Sequence, residues 1–491
     1  MTDATTTEAA TATKEPVMVP DTEPPRRFVT SHRGVFAGKT VAYQCIAAEA
    51  HLCGADGKAR ASIFSFSYLA ETGAATERPV IFIFNGGPGS ASLWLHMGAM
   101  GPRRVVVPSD ASLADNGPYR VVDHEACLID VADLVFIDPP GTGFSRAIGA
   151  AKADAFWGVA ADAEIIGDFI SHWLTTHRRW ASPRYLCGES YGTTRAVAVA
   201  GRLAGDLAGI AMSGIMLISP ILDFHTARFE PGNPMADACF LPTYAATALY
   251  HGCVQAPEGR ADFLNEARRF AAHDYLPALF AGSALAPEIY QQVRGQLARL
   301  TGLSAAWLDR TRLRIEPARF RKELLRAQGL TVGRFDSRYR GVDFDEAGES
   351  PDADPSSYGM DHAYVSAMQD HLTRVLAIDG DRPYRAFNME VAKGWDWIGP
   401  KSEGVAPWPR YTNVAPTLGR LLRESPSLRV LIASGYYDIA TPFYAAESTI
   451  ARNGIDARRI AMKYYEAGHM MYLHDPSLEA LMRDLRQFVA A

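Results

Sequence analysis

The chain has 491 residues, 48% of them hydrophobic and 21% charged, which is enough apolar side chain for one large domain with an insertion or for two domains. Its net charge of −6, from 49 basic and 55 acidic side chains, argues against partners bound by charge neutralisation, so neither nucleic acid nor an anionic membrane is expected. No stretch approaches the ~20 apolar residues of a bilayer span, and the chain is read as soluble.

Residues 1–26 open with "MTDATTTEAATATKEP", a Thr/Ala/Glu-rich run that cannot bury a core and lacks the basic start and apolar centre of a secretory signal. A flexible tail and a cytoplasmic protein are expected, export remaining open if the start lies elsewhere. From Arg27 the stretches "FVTSHRGVFAGKTVAYQCIAAEAHL" and "ASIFSFSYLAE" alternate β-branched and aromatic residues with polar ones, as antiparallel strands do. Then "RPVIFIF", "ADLVFID", "PRYLC", "GIMLIS" and "LRVLIAS" follow as short, continuously apolar runs, the pattern of parallel strands buried on both faces. In "AFWGVAADAEIIGDFISHWLTTH", Val159, Ile166, Ile170, Trp173 and His177 share one face of a predicted helix. Alanines 196, 198, 200 and 204 with Val197 make a small-residue helix suited to packing under a sheet.

Between 230 and 400 the sheet rhythm gives way to helix-forming text, including "EIYQQVRGQLARLTGLSAAWLDRTRLRI" and "ARFRKELLRAQG". An inserted, mainly helical cap is expected there, interrupting an α/β core formed by residues 27–229 and 401–491. The acidic stretch "DFDEAGESPDADPSS" misses the glycine and final glutamate of a calcium-binding EF-hand loop and reads as a solvated loop. Six cysteines, at 45, 53, 127, 187, 239 and 253, lack metal-ligand spacing. They are read as buried thiols, with Cys45–Cys53 and Cys239–Cys253 as candidate bridges in an oxidising compartment. No metal or cofactor is expected.

"YLCGESYGTTRA", Tyr185 to Ala196, holds the chemistry. Gly188-Glu189-Ser190-Tyr191-Gly192 fits the GxSxG elbow, in which two glycines permit a strained strand-to-helix turn that lifts a serine oxygen clear of the sheet. A serine hydroxyl needs a histidine to take its proton and a carboxylate to orient that imidazole. In this fold they follow in the order Ser, Asp, His. Asp438 follows the strand "LRVLIAS", and His469 follows "RIAMKYYE", both on loops at strand C-terminal ends where open parallel sheets build their sites. Asp223 and Asp138 break the order, and His474 lies farther from its strand. "FNGGPGSAS" after "VIFI" supplies a glycine-rich loop whose amides can face an oxyanion.

These motifs resemble the serine carboxypeptidase family of the α/β-hydrolase superfamily: "NGGPGSAS", "DPPGTGFS", "GESYG", "GYYDIATP" and "AGHMMY" stand in the family's order. The resemblance implies an α/β-hydrolase fold and a triad of Ser190, Asp438 and His469. It further implies an oxyanion hole from the amides of Gly87 and Tyr191, and a grip on the substrate's C-terminal carboxylate by Asn85, Gly86 and Glu189. The implied reaction is release of one C-terminal amino acid from peptides through an acyl-enzyme. The chain departs from the pattern at Thr193, where many members have glycine and which is expected to narrow or reshape the site, and at Ser90, which replaces a cysteine. A glutamate that commonly partners the elbow acid is replaced by Ala99, and Arg103 or Arg104 is expected to help hold the carboxylate instead, two solvated arginines being the plainer reading. Trp395 and Trp397 stand either in the specificity pocket or in the core. An esterase or acyltransferase using the same triad is the main alternative. "GGPG" also occurs in proline iminopeptidases, which "GESYG" and "GTGFS" fit less well, and a catalytically silent hydrolase-fold binding protein is the remote alternative, against which the triad stands complete.

Overall fold

The structure, a computed structural model, describes residues 23–71, 77–114, 116–205, 209–380, 382–398 and 411–490. The first 22 residues of the expected tail and positions 401–410 of the core's second segment lie outside them.

Nine strands form the central sheet: β1 (Arg27–Phe36), β2 (Lys39–Cys53), β3 (Ala59–Ala70), β4 (Val80–Phe84), β5 (Asp133–Ile137), β6 (Arg184–Glu189), β7 (Gly214–Ile218), β8 (Arg429–Gly435) and β9 (Ile460–Tyr465). Their spatial order is β1-β2-β3-β5-β4-β6-β7-β8-β9, with the two-residue strand Arg146–Ala147 added beside β3. β1, β2 and β3 pair antiparallel, and β3 meets β5 antiparallel. All pairings from β5 to β9 are parallel. The change from alternating to continuously apolar text marks this change of pairing, because the inner parallel strands are covered on both faces; antiparallel β3 is buried on both faces as well, and the edge strand β9 is only partly covered.

Alternate residues of these strands face two separate cores. Phe82, Val135, Leu186, Leu217 and Ile432 point to one layer, filled by α1 (Val159–Thr176), α2 (Tyr191–Ala204) and a later helix, Ala415–Glu424. Ile83, Phe136, Cys187, Met216 and Leu431 point to the other, where Met360–Asp370 and the C-terminal helix Asp475–Ala490 pack. His177 caps α1 rather than continuing it, yet still stacks on Trp173 with ring centroids 4.3 Å apart.

The long expected insertion divides in its packing. Its first part, from α3 (Met235–Tyr250) to Val332, builds a third core of its own, seated on the sheet side through Tyr437, Ile439 and Ala445. The helix α4 (Met360–Asp370) instead belongs to the core beneath the sheet, with Met360, Tyr364 and Met368 buried there. The helix-forming text of 288–315 splits because Gly302 takes a left-handed conformation (φ 72°) after Pro287–Thr301, and Ser304 caps the next turn, Ala305–Arg310. All six cysteines are free thiols, so neither candidate bridge forms. Among the described residues no helix is long and apolar enough to cross a membrane, and no acid, histidine or cysteine cluster could hold a metal ion.

Candidate active site

β6 ends at Glu189, and Ser190 joins it to α2 with φ 59° and ψ −130°, a conformation that costs a non-glycine residue about 1–3 kcal/mol. The elbow glycines are required by contact. A Cβ at Gly188 would stand 2.1 Å from the Gly192 carbonyl oxygen, and one at Gly192 would stand 2.8 Å from that of Phe84. The loop after β4 approaches equally closely, since a Cβ at Gly86 would lie 2.5 Å from the Tyr191 nitrogen. This approach brings the loop of Gly86 and Gly87 (φ 97°) against the start of α2, and among the described residues neither the Gly87 nor the Tyr191 N–H has a carbonyl partner.

The loops after β8 and β9 bring in Asp438 and His469. Asp438 is fully buried, and its Oδ2 lies 2.8 Å from His469 Nδ1. Its Oδ1 accepts the N–H groups of Ala440 and Thr441, both at 2.8 Å, while Thr441 Oγ1 donates to Oδ2 at 2.8 Å. Burial depresses the pKa of His469, but the Asp438 charge and hydrogen bond, with Glu189 adding to them, outweigh it and raise the imidazole above its usual value. Ser219 Oγ donates to the His469 carbonyl at 2.6 Å, fixing that loop to the end of β7.

A segment of the inserted region closes around these loops. The Phe335 carbonyl accepts the His469 N–H at 2.5 Å, and Asp336 Oδ2 accepts that of Gly468 at 3.0 Å. The Arg334 carbonyl accepts from Ile439 at 3.0 Å, and Ser337 donates to Tyr437 at 2.9 Å. The aspartate and histidine loops are thus stitched to one strap.

Glu189 is buried beside the serine, where Asn85 Nδ2 donates to its Oε2 at 2.9 Å and Tyr472 Oη donates to the same oxygen at 3.0 Å. Burial pushes its pKa up to about 7, partly countered by His469 and by these two donors. Asn85 is itself held, its Oδ1 accepting the Leu95 N–H at 3.0 Å. Ser190, His469, Glu189, Asn85, Gly86, Gly87 and Tyr191 all line one cleft of about 460 Å³, so the residues singled out in the sequence come together, with Asp438 directly behind His469.

The two arginines after Gly101-Pro102 do not reach it. Arg103 pairs with Asp123 at 3.2 Å and Arg104 with Asp475 at 3.2 Å, both away from the cleft lining, which overturns the expectation that either holds a carboxylate there. Thr193 does not narrow the cleft: its hydroxyl donates to the Ser190 carbonyl at 2.7 Å and accepts from Ile221 at 3.0 Å, latching α2 to the loop after β7. Trp395 and Trp397 pack edge-on against Tyr191, at 5.2 and 5.6 Å, and so back the elbow rather than lining the cleft.

Three features were missed from the sequence. Tyr472 takes the place beside Glu189. Its only sequence signal was its position three residues after His469. Arg195 and Asp162 form a fully buried ion pair at 2.7 Å, and Arg195 also donates to the Asn85 carbonyl at 2.5 Å, bracing the glycine loop from below. Asp138 accepts from Ser92 Oγ at 2.8 Å and Tyr384 Oη at 3.2 Å, with burial raising its pKa to about 6, so the "DPPGTGFS" segment is scaffold for that loop.

A strained serine between a parallel strand and a helix, with a paired Asp and His on later strand-end loops, defines an α/β-hydrolase of the serine type. Residues 50–227 are similar to the family model described as serine carboxypeptidase; the matched span ends before the helical insertion and before the Asp438 and His469 loops. No curated protein sequence matches. Among solved structures, the prohormone-processing carboxypeptidase Kex1Δp of Saccharomyces cerevisiae superposes with a TM-score of 0.54 at 15% identity, covering 91% of each chain, which establishes the shared fold. Proline iminopeptidase of Mycobacterium smegmatis (TM-score 0.37, 15% identity, 90% of this chain and 97% of that one) and a carboxyl esterase of Bacillus coagulans (0.36, 12%, 90% and 98%) superpose less well.

Proposed function

We propose that this serine-type carboxypeptidase removes single C-terminal residues by the following assignment of roles. Ser190 attacks the last peptide carbonyl while His469 takes its proton, and Asp438 holds the imidazole in the tautomer that accepts at Nε2. The oxyanion forms against the Gly87 and Tyr191 amides. His469 then protonates the leaving amine, the C-terminal amino acid departs, and water clears the acyl-enzyme by the same route in reverse.

The observation that carries the exopeptidase reading is Glu189. A buried acid next to the nucleophile, with a pKa of about 7, is of no use to the attack itself. Protonated, it donates a hydrogen bond to a substrate carboxylate, and Asn85 and the Gly86 amide supply neutral donors beside it. With Tyr472 in place of a second acid, the pocket has to hold one proton between Glu189 and the substrate rather than share it among three carboxyl groups.

The test is hydrolysis of an N-blocked dipeptide compared with its C-terminal amide. Free amino acid should be released from the acid at a kcat/KM at least ~100-fold above that for the amide. Equal rates would remove the carboxylate pocket from the reading while leaving the triad intact.

A further inference from the structure

Arg334 is the one lysine or arginine that lines the cleft among the described residues. Its main chain is fixed on both sides, the N–H by Asp354 Oδ1 at 2.8 Å and the carbonyl by Ile439 at 3.0 Å. The exposed guanidinium lies 5.1 Å over the Phe335 ring, and Phe335 packs against the His469 ring at 5.4 Å. Among the described residues no carboxylate pairs with it. The two acids nearest its main chain are engaged elsewhere: Asp336 with Arg338 at 2.6 Å, and Asp354 with Ser356 and the Arg334 main chain. A cation held on a rigid strap, stacked on an aromatic ring and left without a counter-ion, is prepared for an anion arriving in the cleft.

Chemistry fixes which part of a substrate meets it. If His469 protonates the leaving amine and Glu189 holds the same residue's carboxylate, the released residue is pinned at both ends, and its side chain faces the wall next to His469. Phe335 lies there against the His469 ring, and Arg334, Met360, Asp361 and Met470 line the same cleft. We infer that Arg334 is a specificity-determining residue that selects substrates whose C-terminal residue carries a side-chain carboxylate. The inference rests on the carboxypeptidase reading above.

Asp361, in the first turn of α4, lines the same cleft and is the competing determinant, for a basic residue. Its position in the positive end of an 11-residue helix already supplies it with compensation, whereas Arg334 has none beyond a ring face. Burial also raises the Asp361 pKa, which lessens its repulsion of an acidic side chain in acid solution.

The test uses the full chain and N-blocked dipeptides sharing one penultimate residue and ending in Glu, Gln, Leu or Lys. In the unaltered protein KM for the Glu substrate should be lower than for its neutral isostere Gln by about tenfold, the worth of one charge-assisted hydrogen bond. Arg334→Gln should bring that ratio to about one, and Arg334→Lys, which keeps the charge, should restore part of it. A Glu/Gln ratio unchanged in Arg334→Gln overturns the inference. So does an equal loss on every substrate, which would place the guanidinium on the main-chain carboxylate or in a purely structural role. So does a preference for Lys that Asp361→Asn abolishes. If blocked esters are hydrolysed while no free-acid dipeptide is, the carboxypeptidase reading itself has failed and the inference falls with it; cleavage with a flat Glu/Gln ratio overturns the inference alone.

Discussion

Replacing Glu189 by glutamine keeps the shape of the group, and the carbonyl can still accept from Asn85 and Tyr472, but removes the titration. Burial moves the carboxyl from its ordinary 4.5 to about 7. At ~1.4 kcal/mol per unit this is about 3 kcal/mol of differential stability between the protonation states. The sign follows from the proton count. Between the two values the folded chain holds a proton that the unfolded chain has lost, so the Glu189 contribution to stability is full at and below pH 4.5 and is lost as pH rises to about 7. Urea unfolding of both proteins at intervals from pH 4 to 8 measures it, the difference cancelling every other titrating group. The Gln variant should gain on the parent by about 3 kcal/mol across that interval and stay level above it. In the same series, KM for a blocked dipeptide should rise with pH in the parent as Glu189 loses its proton, and be nearly independent of pH in the variant. A stability difference that stays flat from pH 4.5 to 7 would refute the reasoning, since Glu189 would then titrate like a solvated acid.

Ser190→Ala should lower kcat by up to ~10⁶-fold with an unchanged unfolding curve, and labelling by an active-site phosphonate should disappear with it. Asp162→Asn leaves the Arg195 guanidinium buried without its counter-charge, so a loss of about 3–5 kcal/mol in urea unfolding is expected, with a fall in kcat because the Asn85 carbonyl loses a fixed support; a loss under about 1 kcal/mol would contradict that role. Gly86→Ala puts a methyl against the Tyr191 amide and should cost ~10²- to 10³-fold in kcat, read on a chromogenic ester so that carboxylate binding is not involved. For such an ester, activity should rise with pH through a His469 limb lying above 6.5, and an alkaline limb should appear only with free-acid peptides, which need protonated Glu189. The His469 pair contributes stability below the unfolded value of 6.5 that is lost as pH passes the higher folded value.

The parts legible in the sequence are those governed by local rules. Continuous apolar runs such as "VIFIF" and "GIMLI" identify doubly covered strands, because strand burial is a property of consecutive residues. Ser190, Asp438 and His469 were legible because the fold mounts them at strand ends in a fixed order. The packing of α4 under the sheet was not, since its amphipathic face says that it is buried but not against what. Arg103 and Arg104 were misplaced for a related reason: a short antiparallel pairing, Arg103–Val105 with Val121–Asp123, turns them toward Asp123 and Asp475, and that pairing spans a gap in sequence with no local signal. Tyr472 and the Arg195–Asp162 pair escaped because hydrogen-bond partners separated by 283 and 33 positions leave no periodic trace.

The strap 334–337 bears on how the protein can be re-engineered. Because the inserted region ties down both the Asp438 loop and the His469 loop through main-chain bonds at Arg334, Phe335 and Ser337, it is not a lid added to a finished catalyst. Exchanging this insertion for that of another hydrolase would release the base before it altered the pocket, unless the incoming segment brought an equivalent strap. Side chains on the strap, such as that of Arg334, can therefore be exchanged to alter selectivity, while its main chain is tied to the two catalytic loops.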